Sequence, residues 1–464
     1  MKAADITPFP LLTSLASALV WNDGTGRLPA MGWNSWNTYQ CDINAALFLS
    51  QAQAMVDLGL LDLGYNYVNL DDCWSVMDGR DVDTNQLLPD LDKFPKGISG
   101  LADEIHAMGF QIGIYSSAGT KTCAGYPASI GYENIDAETW AAWGIDYLKY
   151  DNCYVPADWN DDCEACTASI GSPERSQSYH NGSCDVIRSS LSESNYCPEG
   201  YNYTASRSAE RYRVMRDALA AQNRTIQYSI CVWGYEGVDE WGNQTGNSWR
   251  ITTDIEPRWS YITSILNIAS FKLTTTNFWG HPDLDMLEVG VPHSQLSYAE
   301  SRTHFALWAA TKSPLILSAD LTTLPAEYLS VVKNEYLIGF NQDPVYGAPA
   351  QPYKWGKFPD WTWNETYPAQ YWAGESQQGT FVLLLNMEEE EDGDDGDGEG
   401  SKQGKEMTVD FGEVPYLEAN GTYHIRDAWT GECLGKFTDS ATVRVAAHDT
   451  AVLVFQYCGK LLAA

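Results

Sequence analysis

Basic side chains are scarce in this chain. Lysine and arginine number 28 against 62 aspartates and glutamates, a formal net charge of −34 over 464 residues. Such a surface repels phosphate backbones and anionic lipid headgroups, which excludes nucleic acid and membranes as natural partners. Beyond the N-terminus no stretch is long and apolar enough to span a bilayer. Histidine is also rare. The 7 copies are scattered, and Cys163-x-x-Cys166 lacks a second ligand pair at zinc spacing, so no metal site is expected.

What is abundant points elsewhere. Hydrophobic residues make up 44% of the chain, enough for real cores, and the length suits a barrel plus a smaller partner domain. The 18 tryptophans and 27 tyrosines serve packing first, but flat sugar faces also stack on such rings. Eleven cysteines fit an oxidising compartment, and the odd number leaves at least one without an intramolecular partner. Residues 1–18 carry Lys2, then Leu11, Leu12 and Leu15, then Ala16-Ser17-Ala18, the pattern of a secretory leader with a small-residue cleavage site. Six Asn-x-Ser/Thr sequons, at Asn181, Asn202, Asn223, Asn243, Asn364 and Asn420, agree with a secreted, extracellular glycoprotein.

Between about Pro29 and Ser318, eight strand-like segments alternate with helical ones. The strands are expected at 30–36, 65–70, 110–115, 145–150, 226–233, 249–254, 275–279 and 313–317; helices include 45–60, 98–108 and 206–221. This alternation predicts an α/β fold, a (β/α)8 TIM barrel over residues 19–344. After Asn341-Gln342-Asp343-Pro344 only short strands follow, which predicts a C-terminal antiparallel β-sandwich domain over 345–464. The long segment 154–205 holds Cys163, Cys166, Cys184 and Cys197, with pairing left open. Glu388–Glu399 is a low-complexity acidic run. It nearly fits an EF-hand loop through Asp395, Asp397, Glu399, Gly400 and Glu406, but reads better as a solvated hairpin loop.

Several strands end on chemistry. Tyr147-Leu148-Lys149-Tyr150-Asp151 closes on a carboxylate, with Lys149 two residues earlier and therefore on the same face. A cation there lowers the pKa of Asp151 and keeps it ionised, as a carboxylate nucleophile requires. A helix N-cap or a structural ion pair is the competing reading of this stretch alone. Asp71-Asp72-Cys73-Trp74 follows one strand, and Trp249-Arg250-Ile251-Thr252-Thr253-Asp254 stops on another aspartate. Such groups gathered at successive strand ends belong at the C-terminal mouth of a parallel barrel.

Met31-Gly32-Trp33-Asn34-Ser35-Trp36, Asp71-Asp72-Cys73-Trp74, Gly113-Ile114-Tyr115, Lys121-Thr122-Cys123-Ala124-Gly125, Tyr147–Cys153, Trp249–Asp254 and Asp285-Met286 occur in one order. With these motifs the chain resembles the family-27 glycoside hydrolases, specifically secreted α-galactosidases of fungal type (melibiases). The resemblance runs from about Leu19 to the C-terminus. It implies Asp151 as nucleophile and Asp254 as general acid/base of a retaining hydrolase, with no cofactor. It implies that Asp71 and Asp72 accept from sugar O4 and O6, that Lys149 reaches O3 and O4, and that Arg250 and Asp285 hold O2 and O3. Trp36 and Tyr115 would wall the pocket, with Cys123, Trp233 and Met286 beside them, whereas Trp33 reads as barrel packing.

The resemblance further implies Cys41–Cys73 and Cys123–Cys153 disulfides. Cys231 would be the unpaired thiol facing the sugar's 2-position. Apart from the resemblance, ten cysteines can pair, and Cys433 with Cys458 could staple the sandwich. One departure is Val232, where some family members carry Glu after the cysteine. The expected substrates are oligosaccharides or galactomannan side chains ending in α-linked galactose. Two other readings are an α-N-acetylgalactosaminidase, which Trp233 would crowd at the 2-position, and a non-catalytic galactose-binding protein, against which the presence of both aspartates argues.

Overall fold

In a computed structural model, residues 18–165, 175–180, 183–186, 196–357, 367–389 and 404–457 are described. Residues 1–17 of the leader, Cys166, Cys458, Asn181, Asn364, the Cys184 side chain and all of the acidic run after Glu389 lie outside them. Eight parallel strands form the first sheet: β1 (Met31–Asn34), β2 (Tyr67–Asn69), β3 (Gln111–Ser117), β4 (Tyr147–Asp151), β5 (Gln227–Ile230), β6 (Ser248–Arg250), β7 (His281–Asp283) and β8 (Leu315–Leu317). Their order is β7-β6-β5-β4-β3-β2-β1-β8. Leu287, just past β7, donates its N–H to Ile316 O at 2.8 Å and bridges Leu317, which curls the sheet into a barrel.

The residue alternation explains the two faces. On β4, Leu148 and Tyr150 are fully buried in the core between sheet and helices, while Tyr147 packs with Tyr67, Met286 and Ile316 in a separate interior cluster. Helices begin where capping side chains allow. Asn44 accepts from Leu47 N–H to open Ala45–Asp57, and Ser206 accepts from Ala209 N–H to open Arg207–Ala220. The expected helix at 98–108 is observed at Gly97–Ala107.

Two strand expectations change. The seventh strand is His281–Asp283, not 275–279. Asn277–Gly280 is instead a tight turn, with Trp279 in left-handed backbone at φ 74°. Pro282 argues against a strand in sequence, yet it costs nothing here. His281 N–H donates to Asn247 and Asp283 O accepts from Ile251 N–H, so the ladder to β6 never needs a donor at position 282. The sixth strand ends at Arg250, so Asp254 sits in the following loop rather than on a strand end.

The C-terminal strands are β9 (Gln351–Lys354), β10 (Tyr371–Ser376), β11 (Gly379–Leu385), β12 (Lys405–Asp410), β13 (Thr422–Asp427), β14 (Cys433–Thr438), β15 (Ser440–Val445) and β16 (Thr450–Tyr457). Six form an antiparallel sheet, β9-β10-β11-β16-β13-β14, and β12 pairs with β15 as a covering ribbon. Val382 and Leu384 face that ribbon through Met407, Val409 and Phe411. Phe381, Leu383 and Leu385 face the barrel's core, with the Phe381 ring 4.9 Å from Phe340. The second sheet is thus sandwiched between its own ribbon and the barrel helices.

Candidate active site

Every motif group lies at or just beyond the C-terminal end of a barrel strand. Asp71, two residues past β2, is held by Lys149 Nζ at 2.7 Å and Asn34 Nδ2 at 2.9 Å on one oxygen. Its other oxygen accepts from Asp72 N–H at 3.0 Å. Asp72 accepts from Cys73 N–H and Ala124 N–H, at 2.7 and 2.8 Å. Cys73 takes φ 72°, a left-handed turn, and is bonded to Cys41. The direct partner of Lys149 is therefore Asp71 and not Asp151, contrary to the pairing expected from their two-residue spacing.

Asp151 is buried. One carboxylate oxygen accepts from Tyr115 O–H and the other from Asn152 N–H, both at 2.8 Å. Burial raises its pKa and the nearby Asp254 charge adds to that, while Lys149 and the two hydrogen bonds oppose the rise. Behind it, Arg211 reaches from the helix Arg207–Ala220 to Asn152 Oδ1 at 2.8 Å, and Tyr212 O–H donates to Asp151 O at 3.0 Å. Cys123 and Cys153 form a disulfide whose sulfurs lie within 4.8 Å of an Asp151 oxygen. Those three residues are the one group spaced like metal ligands among the described residues, but the sulfurs are bonded to each other and offer no thiolate.

Arg250 organises the opposite side. Its Nη2 lies 2.7 Å from Asp285 Oδ2 and 3.1 Å from Asp254 Oδ1, and its Nη1 lies 3.7 Å from Cys231 Sγ. The Asp254 side chain is 77% exposed. Its packing against protein pushes the pKa up, but Arg250 and Lys149 outweigh this and hold it below the usual aspartate value. Asp285, at φ 79°, accepts from Ile255 N–H and Met286 N–H, each at 2.8 Å. Cys231 is a buried free thiol, and burial pushes its pKa well up, so it stays protonated. Val232 packs in the core outside the sheet and does not line the cavity.

Trp36 is partly buried and packs on the interior cluster that holds Met286. Trp33 is fully buried and donates to Ala319 O, which makes it a packing residue. Trp233 sits half-buried at φ 59°, edge-on to Tyr235. The floor of the cavity uses residues absent from the sequence-based set: Asn69, Tyr147, Ser229 and Asp283. All four sit two residues before a predicted site residue (Asp71, Lys149, Cys231 and Asp285), so strand alternation alone would have found them. Burial pushes Asp283 up to about 6.

Outside the site, Cys163 pairs with Cys197, and Cys433 is exposed with no disulfide partner among the described residues, its expected partner Cys458 lying outside them. Asn202, Asn223 and Asn420 are exposed. Asn243 is not a surface acceptor. It is half-buried, its side-chain oxygen is sealed without a partner, and Thr245 is fully buried with its hydroxyl donating to Trp241 O.

Residues 28–186 and 193–343 match the family described as alpha galactosidase A, a melibiase, and 366–455 match the alpha galactosidase C-terminal beta sandwich domain. A probable alpha-galactosidase B of Penicillium simplicissimum is 49% identical over 98% of this chain and 99% of its own length. Its counterpart in Aspergillus oryzae is 50% identical over 96% of each. Among solved structures, alpha-galactosidase I of Mortierella vinacea superposes with a TM-score of 0.74 at 32% identity, covering 95% of this chain and all of that one. An α-galactosidase of Saccharomyces cerevisiae solved with raffinose gives 0.72 at 29% identity, over 94% of this chain and 99% of that one.

Proposed function

This chain belongs to the α-galactosidase A (melibiase) family and is a glycoside hydrolase that releases galactose, and we propose that it does so with retention through a covalent intermediate. The observation that carries this reading is the opposite treatment of two neighbouring aspartates. Asp151 is buried and aimed by two donors, as suits a nucleophile, while Asp254 stands open to solvent under a cation, as suits a group that exchanges protons with water. Asp151 attacks the anomeric carbon, Asp254 protonates the departing oxygen, and Asp254 then takes a proton from the water that releases galactose.

Arg250 holds Asp254 ionised, which is the wrong state for an acid. A sugar whose O2 and O3 engage Arg250 withdraws that cation and desolvates Asp254. Both changes raise its pKa. Asp71, Asp72, Lys149 and Asp285 supply fixed partners for the other hydroxyls, and a ligand missing one leaves a buried group unpaired. Trp36, Tyr115, Cys123, Trp233 and Met286 complete the walls.

The substrate class is oligosaccharides and galactomannan side chains with terminal α-galactose, in line with the raffinose complex of the yeast relative. The leader-like residues 1–18, the three disulfides among the described residues and the exposed sequons support secretion. Residues 19–344 would form the catalytic unit and 345–464 the second domain. The test is hydrolysis of 4-nitrophenyl α-galactoside beside its 2-acetamido analogue, with the first-formed sugar followed by proton NMR. We expect release from the galactoside alone, with α-galactose appearing first. Initial β-galactose, or preference for the acetamido sugar, would overturn the reading.

A further inference from the structure

We propose that His448, from the second domain, is a positioning residue for Asp254. The loop carrying Asp254 runs from Arg250 to the helix Trp259–Ala269, whose N-cap residue, Arg258, makes no side-chain capping bond. What meets the start of that helix is a ring from the other domain. His448 stacks on Trp259 with centroids 4.6 Å apart and planes 19° from parallel.

The imidazole is itself held in place. Its Nδ1 lies 2.8 Å from Glu300 Oε1, and the other Glu300 oxygen accepts from Ser297 N–H at 2.7 Å to close a capping box on the helix Tyr298–Ala310. Glu389 Oε2 lies 3.5 Å from its Nε2. The loop's further ties include Ile255 N–H to Asp285 at 2.8 Å, Tyr261 O–H to Glu256 Oε1 at 2.9 Å and Gln295 N–H to Pro257 O at 3.0 Å. These grip the stretch just after Asp254, and the Trp259 stack fixes its far end.

Docking of the turn bearing His448 does not depend on the imidazole. Thr303 Oγ1 donates to His448 O at 2.7 Å, and Arg302 pairs with Asp449 at 3.1 Å. Loss of the ring should therefore leave the domains joined and loosen the acid/base loop.

The inference rests on Asp254 being the acid/base residue, so Asp254→Ala is run alongside. His448 takes φ 57°, where Asn is tolerated and Ala is strained, so His448→Asn is the variant of choice. The readout is kcat/KM for two substrates, methyl α-galactoside, whose leaving group needs a proton, and dinitrophenyl α-galactoside, whose leaving group does not. We expect His448→Asn to lose about tenfold on the methyl glycoside and less than about twofold on the dinitrophenyl one. Trp259→Leu, which removes the ring from the barrel side, should show the same split if the first variant fails to fold.

A fall of equal size on both substrates, or no fall on either, overturns the proposal while a split in Asp254→Ala keeps that residue's role intact. Absence of a split in Asp254→Ala removes the role and the proposal together.

Discussion

The two sides of the mouth are built by different means. Asp151 is the last residue of a strand, sealed under the loops and fixed by Tyr115, Asn152 and, one step back, Arg211 and Tyr212. Asp254 lies four residues past its strand, open to solvent, and is held by Arg250 and by a loop whose far end rests on the second domain. A nucleophile needs one fixed line of attack. A group that gives and takes a proton must exchange with water, and a loop grants that access at the cost of needing support from elsewhere.

The sharpest way to separate the sides is to remove each carboxylate. Asp151→Ala should lose on the order of 10⁵–10⁶-fold in kcat for every leaving group, because no glycosyl-enzyme forms. Asp254→Ala should lose about 10²–10⁴-fold on substrates that need an acid. With dinitrophenyl α-galactoside its first step survives and the β-linked intermediate accumulates. Azide needs no general base, so it should restore turnover and give α-galactosyl azide. Equal losses in both variants without azide rescue would sink the assignment.

A smaller effect lies in the pH profile. Productive encounter needs Asp151 ionised, with its pKa raised, and Asp254 protonated, with its pKa lowered. The first value lies above the second, so activity falls as pH drops below the Asp254 value, where both are protonated, and as it climbs above the Asp151 value, where both are ionised. The reactive pairing is a minority form at every pH, and kcat/KM should trace a bell in the acid range, its two values belonging to the pair. Once sugar occupies Arg250 the basic limb of kcat should move upward. A broad kcat/KM plateau centred near neutrality would contradict this.

The smallest effect tests the ground behind Asp285. Burial pushes Glu288 and Glu236 up to about 8 from 4.5. Between those values the folded protein keeps protons that the unfolded chain releases, so stability falls as pH rises. His281 and His304, pushed down to about 3 by burial, act in the opposite sense only below 6.5. Melting temperature should thus drop from pH 6.5 to 7.5, and Glu288→Gln should flatten the slope. An unchanged slope in that variant would show that Glu288 ionises normally.

Much of this was legible in the chain, because strand alternation and strand-end carboxylates are local patterns. Asp71, Lys149, Asp151 and Arg250 all stand within a few residues of an apolar run. The seventh strand was hidden by Pro282, since whether a proline costs a ladder bond depends on which neighbour its missing N–H would face. Sequence spacing also paired Lys149 with Asp151. Its ammonium instead crosses the barrel to a residue 78 positions away.

By itself the sequence determined the alternating architecture, the family and the identity of the groups at the mouth, because these follow from short-range periodicity and residue chemistry. Only the tertiary structure decided which charges meet, which carboxylate is buried, and that a histidine of the second domain stacks beneath the Asp254 loop. Those outcomes depend on distances across the barrel and between domains, and no local pattern in the chain encodes a distance of that kind.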